Sequence, residues 1–175
     1  MSQSPVKQQE AASAFYAALE MDVSFFAAIW HTYKVGHLLM ADLDRICLRQ
    51  SLSMADVHLL GAVRVDVSGR LRATDLALIL HVSHAVLSTR VAKLEGKGLL
   101  TRVASPDDRR AFNLQVTPEG VCALDAAIGA IERHSHFVSA FRRLPEFDQR
   151  ELVRIMGGLH DQLDREFIST VRGDV

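Results

Sequence analysis

Apolar residues recur at helical spacing from about Phe15 to Arg49, with Val23, Phe26, Ile29, Trp30, Tyr33, Leu38, Leu39, Leu43 and Ile46 on the repeat. This predicts one long first helix, in which Gly36 marks a bend or a close helix contact. Such a stripe needs a partner to bury it. The polar, small residues 1–13 ahead of it are expected to be a frayed tail. Ser53 and Asp56 then form a capping-box pair, the hydroxyl and the carboxylate each satisfying a free amide at a helix start. The helix they open carries Val57, Leu59, Leu60 and Val63, and Ser68 and Gly69 close it. A short helix follows from about Ala73 to Leu80, with Leu76, Ala77 and Leu80 inward. Ser83 caps a third, through Gly96, with Val86, Leu87, Val91 and Leu94 on its buried face.

After Gly96 and Gly98 the period changes to two. Leu99, Thr101 and Val103 alternate with Leu100 and Arg102, and Phe112, Leu114 and Val116 alternate with Asn113 and Gln115. Between them lies the charged segment 104–110, so the pattern predicts a β-hairpin with a long polar tip. Thr117 and Pro118 are an N-cap and first-turn pair. The helix they start buries Val121, Leu124, Ile128 and Ile131 and is expected to run to about Arg143. A last helix begins at Pro145 and is striped by Leu152, Ile155, Met156, Leu159, Leu163 and Phe167. The fold class is therefore mainly α with a small β-hairpin: a winged helix-turn-helix at residues 51–116 flanked by helical dimerisation segments at 14–50 and 117–172.

The net charge of −1 speaks against a nucleic-acid binder, but the distribution of the charges reverses that inference. Between Arg64 and Arg110 nine Lys/Arg stand against five Asp/Glu, whereas the rest of the chain carries eleven against sixteen. A basic middle between acidic ends points to one region that meets a polyanion. No run of about 18 uncharged apolar residues suits a membrane span, and no basic-then-apolar leader suits secretion. A cytoplasmic protein is expected. Cys47 and Cys122 fit no metal spacing and read as reduced thiols.

The chemistry concentrates in the basic middle. Two short helices joined by a tight turn make a helix-turn-helix, and Ala77 keeps them close. On the second of them His84, Ser88, Thr89, Arg90 and Lys93 remain outside, a set of donors that reaches phosphates and base edges in a major groove. Ser83 and the free amides beside it suit a phosphate at the helix N-terminus, and Arg72 and Thr74 at the start of the first helix complete the DNA-facing set. The following hairpin makes a wing whose tip holds Asp107, Asp108, Arg109 and Arg110. Arginine there can enter a minor groove, and Asp108 is placed to pair with an arginine and fix its direction.

Residues 81–100 (HVSHAVLSTRVAKLEGKGLL), then 105–110 (SPDDRR) and 116–120 (VTPEG), resemble the MarR (multiple-antibiotic-resistance regulator) family. The resemblance covers roughly Val23 to Leu163, and its most specific element is the aspartate-x-arginine of Asp108 and Arg110 followed by the Thr-Pro-x-Gly helix start. It implies an obligate homodimer with intertwined outer helices gripping a pseudo-palindromic duplex, Arg110 probing the minor groove, and Ser88, Thr89 and Arg90 facing the major groove. One departure is His81, where the family's turn usually has glycine; histidine tolerates left-handed backbone better than most residues.

Pairing the outer helices with a second copy buries their stripes and sets two reading helices about 34 Å apart, one DNA turn. The resemblance further implies a small effector, often an aromatic carboxylate or phenol, and Trp30, His31, Tyr33, His37, Arg49 and His58 are the candidate lining. No cofactor and no metal is expected: His134 and His136 diverge on a helix, and His31 and His37 are six apart. Nor is an enzyme, as no phosphate loop, nucleophile elbow or catalytic carboxylate pair is found. The expected function is a DNA-binding transcriptional regulator, by default a repressor. The alternatives are a winged protein-interaction module without DNA and a regulator that senses peroxide through Cys47.

Overall fold

The computed structural model describes residues 4–66, 71, 73–104 and 112–173, with residues 73–74 and 167–173 described in their backbone only. The chain divides into two compact units, residues 1–42 and 43–175.

The first unit holds helix α1 (Pro5–Ala17) and most of α2 (Phe26–Cys47). Two expectations are corrected here. Residues 5–13 are helical and not a frayed tail, because Ser4 accepts from the amide of Lys7 and Pro5 occupies the first turn. The long first helix is also broken. Glu20 adopts a left-handed φ of 59°, and the Asp22 carboxylate accepts from the amide of Ser24 at 2.9 Å, forming an Asx turn that restarts the chain at Phe26. Gly36 brings no break, as α2 runs through it.

The second unit begins with the end of α2 and a 3-10 turn (Leu48–Gln50). Then come α3 (Met54–Val65), α4 (Ala73–Ile79), α5 (His84–Gly96), β1 (Leu100–Ala104), β2 (Phe112–Val116), α6 (Pro118–His134), α7 (His136–Arg142) and α8 (Glu146–Gly173). The capping box of α3 forms as expected, both halves present. Leu59, Leu60, Leu76, Leu94, Leu100 and Leu124 are buried to 2% exposure or less, so α3, α4, α5, β1 and α6 share one core. Each such side chain stabilises the unit by removing apolar surface from water, at about 25 cal/mol per Å².

β1 and β2 pair antiparallel, with Leu100 opposite Val116 and Ala104 opposite Phe112. Only Leu100 of β1 is buried, and with Leu114 and Val116 of β2, which pack partly buried against the core, it anchors the hairpin. Gly98 turns the chain out of α5 with φ of 69°, and the amide of Leu99 closes back on the carbonyl of Leu94. Thr117 caps α6 through the amide of Gly120 and donates its hydroxyl to the carbonyl of Gly98 at 2.7 Å. Gly120 explains its own place in the Thr-Pro-x-Gly element. A Cβ there would sit well inside contact distance of the Leu99 carbonyl oxygen.

Two details of the sequence pattern do not hold, and a third feature, the stripe of the last helix, is open to solvent in the single chain as its need for a partner implies. The helix after Thr117 stops at His134, because the buried Ser135 turns extended (φ −76°, ψ 128°) and caps α7 through the amide of Val138. Val86 is 42% exposed and Ile128 50%, so neither belongs to the core. On α8 the striped residues Leu152, Ile155, Met156, Leu159 and Leu163 are all exposed, while the side chain of Phe167 lies outside those described. Ser68 and Gly69, expected to close α3, also lie outside the described residues.

Candidate nucleic-acid interface

α4 and α5 are joined by the turn His81–Ser83. Ala77 is 4% exposed and Leu76 fully buried, so the two helices approach closely, as a small residue at that position permits. The amide of Val82 reaches back to the carbonyl of Ala77 and that of His81 to Leu78. His81 takes φ of 49°, the left-handed conformation anticipated for it. Ser83 caps α5 by accepting from the amide of Val86 at 3.3 Å.

α5 is anchored on one side and open on the other. Leu87, Val91 and Leu94 are buried, while Ser83, His84, Ser88 and Thr89 are exposed and Arg90 is half-buried. The Thr89 hydroxyl donates to the carbonyl of Ala85 at 3.0 Å, which fixes its rotamer and leaves its oxygen able to accept. Lys93 is exposed on the same side, as the sequence pattern expects, and it also makes an ion pair. Its Nζ lies 2.7 Å from Oδ2 of Asp56, a carboxylate only 1% exposed. The same oxygen accepts from the amide of Ser53 at 2.9 Å. Burial by itself pushes the Asp56 pKa up, but hydrogen bonds from Lys93 and Ser53 and the charge of Lys93 outweigh it, so the carboxyl sits below its ordinary value. Lys93 thus ties α5 to the start of α3 while its side chain stays half exposed on the outer side of the helix.

The hairpin stands beside α5. A cleft of about 320 Å³ between them is lined by His84, Leu87, Ser88, Val91, Arg102, Phe112 and Leu114. Arg102 lies 3.3 Å from Glu95 across this junction, and Phe112 is 57% exposed. The sequence reading missed both as members of the exposed face. The register of the hairpin, which pairs Arg102 with Leu114, is the signal that would have found them. A second cleft of about 360 Å³ on the hairpin includes Val63, Arg64, Asp66, Asn113 and Gln115.

Several assigned residues lie outside the described ones. Arg72, Asp107, Asp108, Arg109 and Arg110 are not among them, and Thr74 is described in its backbone only. The six effector candidates divide between the units. Trp30, His31, Tyr33 and His37 lie on α2 within the first unit; Lys34 Nζ sits 5.3 Å from the Trp30 ring centre, and the Phe26 ring packs against Trp30 at 5.8 Å between centroids. In the second unit Arg49 lies in the 3-10 turn and His58 on α3, both exposed. Neither cleft described above includes any of the six.

Cys47 is fully buried and Cys122 exposed. Burial, with the neighbouring Asp44 charge, raises the Cys47 pKa, which keeps the thiol protonated and unreactive. Among the described residues no helix is long and apolar enough to cross a membrane.

Comparison with known proteins gives a consistent result. The MarR family model matches residues 52–112. A protein assigned as transcriptional regulator of the hcr operon in Thauera aromatica is 36% identical over 97 residues, which are 55% of this chain and 57% of that one. The chain thus spans little over half the length of that relative. The HTH-type transcriptional regulator PecS of Dickeya dadantii is 23% identical over 146 residues, 82% of this chain and 86% of PecS. Among solved structures, the MarR family regulator Sco3205 of Streptomyces coelicolor in complex with DNA has a TM-score of 0.67 at 27% identity, covering 82% of this chain and 90% of Sco3205. The MepR–DNA complex of S. aureus has a TM-score of 0.68 at 17% identity, covering 80% and 99%, and shares the fold. Both relatives are named as regulators of transcription.

Proposed function

We propose that this chain, which carries a MarR-family domain at residues 52–112, is a cytoplasmic DNA-binding transcriptional regulator that acts as a homodimer on a pseudo-palindromic operator. The carrying observation is the division of α5. Its apolar side is locked into the core by Leu87, Val91 and Leu94, and its other side presents Ser83, His84, Ser88, Thr89 and Arg90 next to an exposed hairpin. A rigidly held helix with hydroxyl and guanidinium donors outward is what major-groove reading requires. Arg102 adds a cation on the hairpin side. In this reading Arg110 is the minor-groove probe, Asp108 and Arg109 accompany it on the wing, and Arg72 and Thr74 belong to the DNA-facing set.

Repression is the default mode, as a dimer seated on a promoter excludes polymerase without further machinery. Release by a small aromatic acid or phenol completes the reading, with Trp30, His31, Tyr33 and His37 of the first unit as candidate contacts and, separately, Arg49 and His58 of the second. Support for these contacts is chemical: aromatic walls with cationic or imidazole groups suit a planar anion.

Base-specific reading is tested by selecting a preferred duplex from a random pool and comparing Arg90→Ala and Ser88→Ala on it. Loss of a base contact costs about 1–3 kcal/mol and relaxes preference at one position. Equal loss on the selected and on random duplexes would assign these side chains to phosphate contacts and remove α5 as the reader.

A further inference from the structure

We propose that His81, His160 and Asp164 form a binding site for a divalent transition-metal ion, best suited to zinc, that clamps the helix-turn-helix turn to α8. His160 and Asp164 are one helical turn apart, so both side chains project from the same face of α8. His81 comes from the turn between α4 and α5, and its Nε2 lies 3.1 Å from Oδ1 of Asp164. One donor atom from each of the three residues falls within 4.8 Å of the others. Donors around a tetrahedral zinc with bonds near 2.0–2.1 Å are about 3.4 Å apart. Small rotamer changes of the two exposed histidines and the half-buried aspartate close that gap.

Two imidazoles and one carboxylate, with water in the fourth position, form a donor set of the borderline character that zinc prefers. Histidine pairs close in sequence, His134 with His136 and His31 with His37, have no metal-ligand spacing, so the sequence alone does not reveal this site. The contributing pair on α8 mixes a histidine with an aspartate, and the third ligand comes from 79 positions earlier in the chain.

The backbone at His81 supplies an independent reason. Its φ of 49° is the left-handed region, where glycine sits without steric cost and a residue with a Cβ does not. Strained backbone positions cluster at functional sites, and this one carries a potential ligand. Its Cβ leads directly to the cluster, two residues before the cap of α5. An ion held there would fix the start of α5 against α8. Any effect on operator binding rests on the function proposed above; the metal site does not.

The test uses the tag-free full-length chain, stripped with chelator and titrated with zinc against a chromophoric competitor, followed by cobalt substitution read in the visible spectrum. One zinc per chain with a dissociation constant of about 1 µM or tighter is expected, together with the bands of four-coordinate cobalt. His160→Ala, Asp164→Asn and His81→Gly should each weaken zinc by at least about 100-fold, with His134→Ala unchanged as the control. His81→Gly keeps this falsifiable, because glycine relieves the turn and leaves the fold intact. Zinc held equally well by all three variants, or not held by the wild type, would overturn the site, whatever the chain does with DNA.

Discussion

Asp56 is the most consequential single residue of the winged region. Its carboxylate is almost wholly buried, caps α3 and receives Lys93 from α5, so two elements depend on one charge. Replacing Lys93 with methionine leaves that carboxylate without its cation and should cost about 1–3 kcal/mol in denaturant unfolding. The acid limb carries a sign. The folded pKa lies below the unfolded value near 3.8, so the contribution is complete above that value and is lost as pH falls through the folded one. Wild type should therefore lose stability relative to Asp56→Asn only below about pH 4–5. A stability difference between the two that is constant from pH 7 to pH 3 would refute the pairing. Gly120 is a second fixed point. Gly120→Ala drives a Cβ into the backbone carbonyl of Leu99, and a loss of at least about 2 kcal/mol is expected by thermal melting.

At the scale of elements, much was legible because local chemistry and tertiary structure agree. The Ser53–Asp56 box, the Ser83 cap and the Thr117–Pro118 start all announce helices that form where expected. The hairpin was readable from its period of two and pairs over the expected residues. What was not legible lay where helical periodicity continues across a break. The stripe on either side of residues 18–25 hides the turn made by Glu20, Asp22 and Ser24. Ser135 likewise interrupts an unbroken apolar pattern, because a serine in sequence does not declare whether it caps or merely sits in a helix. On α5 the exposed hydroxyl and cationic residues could be named from sequence, but not the ion pair that Lys93 makes with Asp56. That contact spans 37 positions and depends on how α3 packs against α5. The convergence of His81 with α8 was hidden for the same reason.

At the scale of the whole molecule, the exposed apolar residues ask for a partner. Leu152, Ile155, Met156, Leu159 and Leu163 line α8 at helical spacing, each between 37% and 50% exposed. Ile29, Tyr33 and Leu38 on α2 are more exposed still. A lone chain would hold these stripes in water, whereas an isologous dimer buries them. Sedimentation should return twice the 19.4 kDa of one chain. The double substitution Ile155→Asp and Leu159→Asp should shift it to a monomer and weaken operator binding by at least about tenfold, since two half-sites are no longer read together. A wild type that sediments as a monomer at micromolar concentration would contradict the dimer.

DNA reading itself is tested most directly by fluorescence anisotropy with duplex DNA from upstream of the gene, across a salt series, for wild type and Arg110→Ala. Binding at about 1–100 nM in moderate salt is expected, weakening steeply as salt rises because phosphate-bound counterions are released. Arg110→Ala should weaken it further and flatten the salt dependence. Absence of binding to this or any other duplex at low salt would contradict the regulator reading at its root.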